Sequence, residues 1–132
     1  MVIYTSALLA ILLGEPDSGQ MVAAIERDQR RMLSSVQLLE AAMVIEAKKG
    51  AAGGRDLDLL LHRAQVQIVN FTAELAEASR DAWRRWGKGR NPAGLNFCDC
   101  CAYALAKQLG EPLLVKPAPL ALAVAATGLV NG

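Results

Sequence analysis

Aromatic side chains are scarce in this sequence: two Phe, two Trp and two Tyr among 132 residues, against 53% hydrophobic residues overall. A core built from this chain is therefore aliphatic, made of Leu, Ala, Val and Ile. Histidine occurs once, at His62, far from any partner with ligand spacing, which excludes a His-rich metal centre. Cysteine is confined to the run Cys98-Asp99-Cys100-Cys101. Such an odd, clustered set builds no disulfide framework and points to a reducing cytoplasm, with the thiols as small buried hydrophobes. Cys98 and Cys101 supply only two helix-spaced thiolates, too few for zinc. An excess of charge is also missing: 14 basic and 13 acidic residues leave a net charge of +1. The chain is no general polyanion binder, so any contact with nucleic acid is local. The apolar opening Val2 to Leu13 lacks a basic segment before it, contains Tyr4-Thr5-Ser6 and is too short to cross a bilayer.

What is present reads as one domain of alternating strands and helices. Val2-Ile3-Tyr4 favours a strand and runs into a helix that Thr5 or Ser6 can cap. A helix follows over Asp17 to Asp28, then a short strand from Arg30 to Leu33 ending at Ser34-Ser35. Those serines cap VQLLEAAMVIEAKK, which stops at Gly50; AAGG reads as a linker and Arg55 to Gln65 as the next helix. Val66 to Phe71 reads as a strand, Thr72 caps Ala73 to Trp86, GKGRNPAG is a loop, Asn96 to Leu109 is a helix and PLLVK is a last strand. The pattern predicts an α/β fold: a parallel-rich sheet of about four strands flanked by helices, with strand tips near Tyr4, Ser34, Phe71 and Lys116 along one carboxyl edge. Every charged residue lies within 1–116, and 117–132 (PAPLALAVAATGLVNG) has none. That tail reads as sequence foreign to the domain before it, expected to add little to the core.

Three groups of residues can carry chemistry. Val36, Glu40, Met43 and Ala47 fall on one helical stripe. Glu40 then places a carboxylate in an apolar face, where it needs a partner or a metal, or it sits at the stripe's edge and reaches water. Asp99 opens the helix FCDCCAYALAK, where an acid suits the helix dipole by about 0.3–1 kcal/mol; it becomes a site residue only if other carboxylates converge on it. WRRWGKGR sets Arg84, Arg85, Lys88 and Arg90 beside Trp83 and Trp86. That arrangement suits a nucleic-acid strand, or else a helix C-terminus with cations on its dipole and two core tryptophans.

Taken together, MVI-TSALLAILLGEP, LLEAAMVIEAKKG, GGRDLDLLLHRA and GKGRNPAGLNF-DC-AYALAK-GEPLL resemble a PIN domain, specifically the VapC-type toxins of bacterial type II toxin–antitoxin pairs. The resemblance covers about residues 1–116. It implies a PIN fold, a magnesium- or manganese-dependent endoribonuclease, a VapB-type antitoxin partner, a homodimer, and no membrane attachment. It also implies catalytic and metal-binding roles for Glu40 and Asp99. At two other places the sequence departs from the family pattern. Tyr4 stands where the family's first acid belongs, and Pro119 falls in the segment of its last acid. Cys98 replaces a glycine beside Asp99. With two of four acids left, the resemblance implies weakened metal binding and cleavage. The alternative is a noncatalytic protein of the same fold that binds an antitoxin or itself. The tail that begins where the last motif should stand looks like a change of reading frame.

Overall fold

The computed structural model describes residues 1–116; Pro119 and the proposed tail lie outside the described residues. Four parallel strands, β1 (Val2–Ile3), β2 (Met32–Ser34), β3 (Gln67–Val69) and β4 (Leu113–Leu114), form one sheet in the order β3-β2-β1-β4. Five helices surround it: α1 (Thr5–Leu12), α2 (Ser18–Arg27), α3 (Ser35–Arg63), α4 (Ala73–Trp86) and α5 (Phe97–Leu109). The expected α/β architecture is thus present, with every strand pair parallel.

Strand alternation sorts the core into two layers. Val2 lies opposite Met32 and Leu113 in the sheet, and all three pack with Leu75, Ala102 and Leu105 of α4 and α5. Ile3 lies opposite Leu114; both pack on the other face with Leu8, Ile25, Leu33 and Ile45, under α1 to α3. Two-residue periodicity therefore assigns Tyr4 to the same side as Val2, facing α5. This parity aims the phenol at Asp99.

Helix ends follow the sequence signals in part. Ser34 accepts a hydrogen bond from the Val36 N–H at 3.2 Å, and Thr72 from that of Leu75 at 3.1 Å. Asn96 caps α5 with a reciprocal capping box: its Oδ1 accepts from the Asp99 N–H at 2.8 Å, and Asp99 Oδ2 accepts from the Asn96 N–H at 2.9 Å. Neither Thr5 nor Ser6 caps α1. The Thr5 hydroxyl donates instead to Gln37, and Ser6 Oγ accepts from the Lys116 N–H at 3.1 Å. Ser35 likewise turns to the sheet edge, accepting from the Phe71 N–H at 3.1 Å.

AAGG is not a linker. The helix breaks at Gly50, which has φ 64° and ψ −156°, and residues 51–54 already belong to the next helical turn of α3. A Cβ at Gly53 would stand 2.7 Å from the Ile45 carbonyl oxygen and 2.9 Å from the Lys49 Cβ. The glycine lets the two helical arms touch, a packing demand that composition alone reads as flexibility.

Candidate functional site

Tyr4 follows β1 and is buried at the carboxyl edge of the sheet. Its hydroxyl donates a hydrogen bond to Asp99 Oδ1. Asp99 Oδ2 is already engaged by the Asn96 N–H, so both carboxylate oxygens are bonded within a residue that is only 9% exposed. Burial raises the Tyr4 phenol well above its ordinary range; the hydrogen bond to Asp99 and the charges of Asp99, Glu40 and Cys98 add to this. The phenol is a neutral donor throughout the physiological range, so it can hold a carboxylate but cannot replace one.

Glu40 reaches the same cluster from α3. The stripe Val36-Glu40-Met43-Ala47 is not the buried face of this helix, since Met43 is 64% exposed; Gln37, Ala41 and Ile45 face the core instead. Glu40 sits at the border and lines a cleft of about 280 Å³ with Val36, Leu39, Met43, Phe97 and Cys98. Its Oε1 is buried and has no hydrogen-bond partner. Cys98 closes the group: burial, then the neighbouring Glu40 carboxylate, push its thiol up to about 12. Cys100 and Cys101 are buried and Cys98 half-buried, in line with thiols packed as small hydrophobes.

Gln37 holds the arrangement together, a role the sequence did not disclose. Fully buried, its Oε1 accepts from the Thr5 N–H at 3.0 Å and the Thr5 hydroxyl at 2.6 Å, and its Nε2 donates to the Cys98 carbonyl at 3.0 Å. One side chain thus ties the starts of α1 and α5 to α3, one turn before Glu40. The available signal was its position in the Gln37-Ala41-Ile45 row, masked because glutamine is polar.

The cationic group lies at the end of α4 and in the following loop, with Arg84, Arg85, Lys88 and Arg90 all exposed. Arg85 pairs with Asp81 at 3.3 Å, and the Arg90 guanidinium stands 4.5 Å from the centre of the Trp83 ring. Trp83 is not a core residue, being 45% exposed; Trp86 is half-buried against Ala82, Leu95, Cys100 and Tyr103. His62 is on the surface.

A magnesium or manganese ion takes oxygen ligands and tolerates one or two carboxylates when water and substrate phosphate complete its shell. The orphaned oxygen of Glu40 fits that role, whereas Asp99 fits it only after releasing Tyr4. Among the described residues, no group of three or more His, Cys, Asp or Glu side chains is gathered tightly enough to hold a metal ion. Also among them, no helix is long and apolar enough to cross a membrane.

The PIN domain family model matches residues 1–116. Ribonuclease VapC30 of Mycobacterium tuberculosis is 54% identical over 116 residues, covering 88% of each chain. Ribonuclease VapC of Mycolicibacterium smegmatis is also 54% identical over 116 residues, covering 88% of this chain and 90% of its own. In structure, the chain is similar to VapC20 of M. tuberculosis, a Sarcin-Ricin loop cleaving toxin, with a TM-score of 0.78 at 18% identity over 99% of this chain and 97% of the other. A four-stranded parallel sheet, a PIN-domain match over residues 1–116 and a 54% identity to curated ribonucleases lead to one assignment: the chain belongs to the PIN-domain family, as a VapC-type toxin ribonuclease.

Proposed function

We propose that this chain is a divalent-metal-dependent endoribonuclease of attenuated activity, in which Glu40 and Asp99 hold the metal and Tyr4 holds Asp99 back. The observation that carries the reading is the pairing of an orphaned, buried Glu40 oxygen with an Asp99 carboxylate engaged by a neutral phenol. When bound, magnesium or manganese lowers the pKa of a water and clamps the scissile phosphate. The chain's own residues position that chemistry: Gln37 sets the helix starts that carry the acids, and Asn96 fixes the orientation of Asp99. Arg84, Arg85, Lys88 and Arg90 contact the phosphates of the RNA strand. Residues 1–116 form the functional domain, with 117–132 as an added tail. A VapB-type antitoxin, a homodimeric state and a cytoplasmic location complete the reading.

A second reading, a noncatalytic protein that binds an antitoxin or itself, is favoured by the full hydrogen bonding of Asp99. One experiment separates the two. The parent chain and Glu40→Gln are incubated with RNA in manganese and in EDTA. Slow manganese-dependent cleavage that disappears in Glu40→Gln supports the enzyme. Cleavage equal in both proteins, or none at any metal concentration, removes it.

A further inference from the structure

We infer that the cleft of about 480 Å³ between α4, the 88–96 segment and the start of α5 is a subsite for one unstacked RNA base, walled by Trp83 and Phe97. The inference rests on the reading of this chain as an RNA-directed protein and names where a nucleotide sits. Both rings are unusually open for large aromatics: Trp83 is 45% and Phe97 73% exposed. Behind them the floor is apolar, formed by Ala76, Leu95, Cys100 and Cys101.

The charge around this cleft suits a polyanion. Arg80 and Lys88 line it, no carboxylate does, and Arg90 lies over the Trp83 ring. Arg90 is held there by a hydrogen bond from its Nε to the Arg84 carbonyl at 3.3 Å. Arg80 has only a long 3.8 Å pair with Glu77 on open surface, which leaves it available to a phosphate. An aromatic platform beside cations is the arrangement on which single-stranded RNA stacks its bases.

Two polar groups inside the cleft are already engaged. The Ser79 hydroxyl donates to the Leu75 carbonyl at 2.7 Å, and Asn96 Oδ1 serves the helix cap. A base is held mainly by its faces, with the Asn96 amide and the Arg80 and Lys88 side chains as the polar groups left at its rim. Phe97 also lines the smaller cleft that contains Glu40 and Cys98. A strand with its base against Trp83 thus passes its backbone over Phe97 toward Glu40, and Asp99 follows two residues along the same helix.

The test is fluorescence anisotropy of a short fluorescein-labelled single-stranded RNA, in EDTA, against the parent chain, Trp83→Ala, Phe97→Ala and Trp83→Phe. Circular dichroism confirms that the variants fold. Each alanine variant should bind about 10-fold more weakly, while Trp83→Phe keeps a ring and most of the affinity. A duplex of the same sequence, which offers no free base, should bind all four proteins alike. Unchanged single-strand affinity in both alanine variants, or an equal loss on the duplex, overturns the subsite. A loss accompanied by dissociation of an oligomer in sedimentation velocity assigns the cleft to a second copy and overturns it too. If even the parent binds no RNA, the functional reading falls with it; if the variants bind as the parent does, the subsite alone falls.

Discussion

Replacing Tyr4 with phenylalanine removes one oxygen and nothing else from a ring that packs with Val2, Leu105 and Val115. Asp99 Oδ1 then loses its donor in a nearly buried position, while Oδ2 keeps the Asn96 N–H at 2.9 Å. Hydrogen bonds to charged groups contribute about 1.5–3 kcal/mol, so Tyr4→Phe should cost about 2 kcal/mol in metal-free buffer. For a domain of this size that corresponds to a melting temperature lower by roughly 6–8 °C. The same change frees a carboxylate oxygen of Asp99, while Glu40 already has one without a partner. Magnesium should therefore restore stability in the variant more than in the parent; at ten times its dissociation constant the gain is about 1.4 kcal/mol. The assay is thermal unfolding of both proteins in EDTA and across a magnesium series. Equal melting temperatures in EDTA would refute the hydrogen bond's role. Equal magnesium shifts in the two proteins would refute the idea that Tyr4 holds Asp99 from metal.

Other outcomes follow from the same contacts. Gln37→Ala strands the Thr5 N–H and the Cys98 carbonyl inside the protein and should destabilise it by about 3 kcal/mol, measured by urea unfolding. The Cys98 thiol, raised from its ordinary 9.0 to about 12, holds its proton more tightly folded than unfolded. Its contribution to stability is whole below pH 9 and is lost as pH rises from there toward 12, so Cys98→Ala should flatten the alkaline fall in melting temperature. Replacing Arg84, Arg85, Lys88 and Arg90 together with alanine should weaken RNA binding at low salt and make the slope of log affinity against log salt shallower, with melting unchanged; an unaltered slope would return these cations to the helix end.

The sequence made the sheet legible because its strand tips end in residues with distinct local roles: Tyr4, the capping Ser34 and the Ser35 that follows it. Motifs single out Glu40 and Asp99 as candidates, but the contact of Tyr4 with Asp99 spans the whole domain and no local spacing encodes it. It follows from strand parity and from where α5 packs, both tertiary facts. The core face of α3 was misread for a physical reason. Val36-Glu40-Met43-Ala47 and Gln37-Ala41-Ile45 have the same helical spacing, and the polar Gln37 disguises the row that is buried. The glycines of AAGG misled in a related way, because glycine serves close approach as readily as flexibility. The exposed ring of Trp83 was read in part as core, since its hydrophobicity says nothing about which side of α4 the domain covers.

Calorimetric titration of magnesium into the parent chain and into Tyr4→Asp tests the central claim most directly, because it asks whether the phenol stands in a ligand's place. The account predicts binding weaker than millimolar, or none, in the parent, and clearly stronger binding in Tyr4→Asp that is lost again when Glu40→Gln is added. Tight magnesium binding by the unmodified chain, or no gain in Tyr4→Asp, would contradict it.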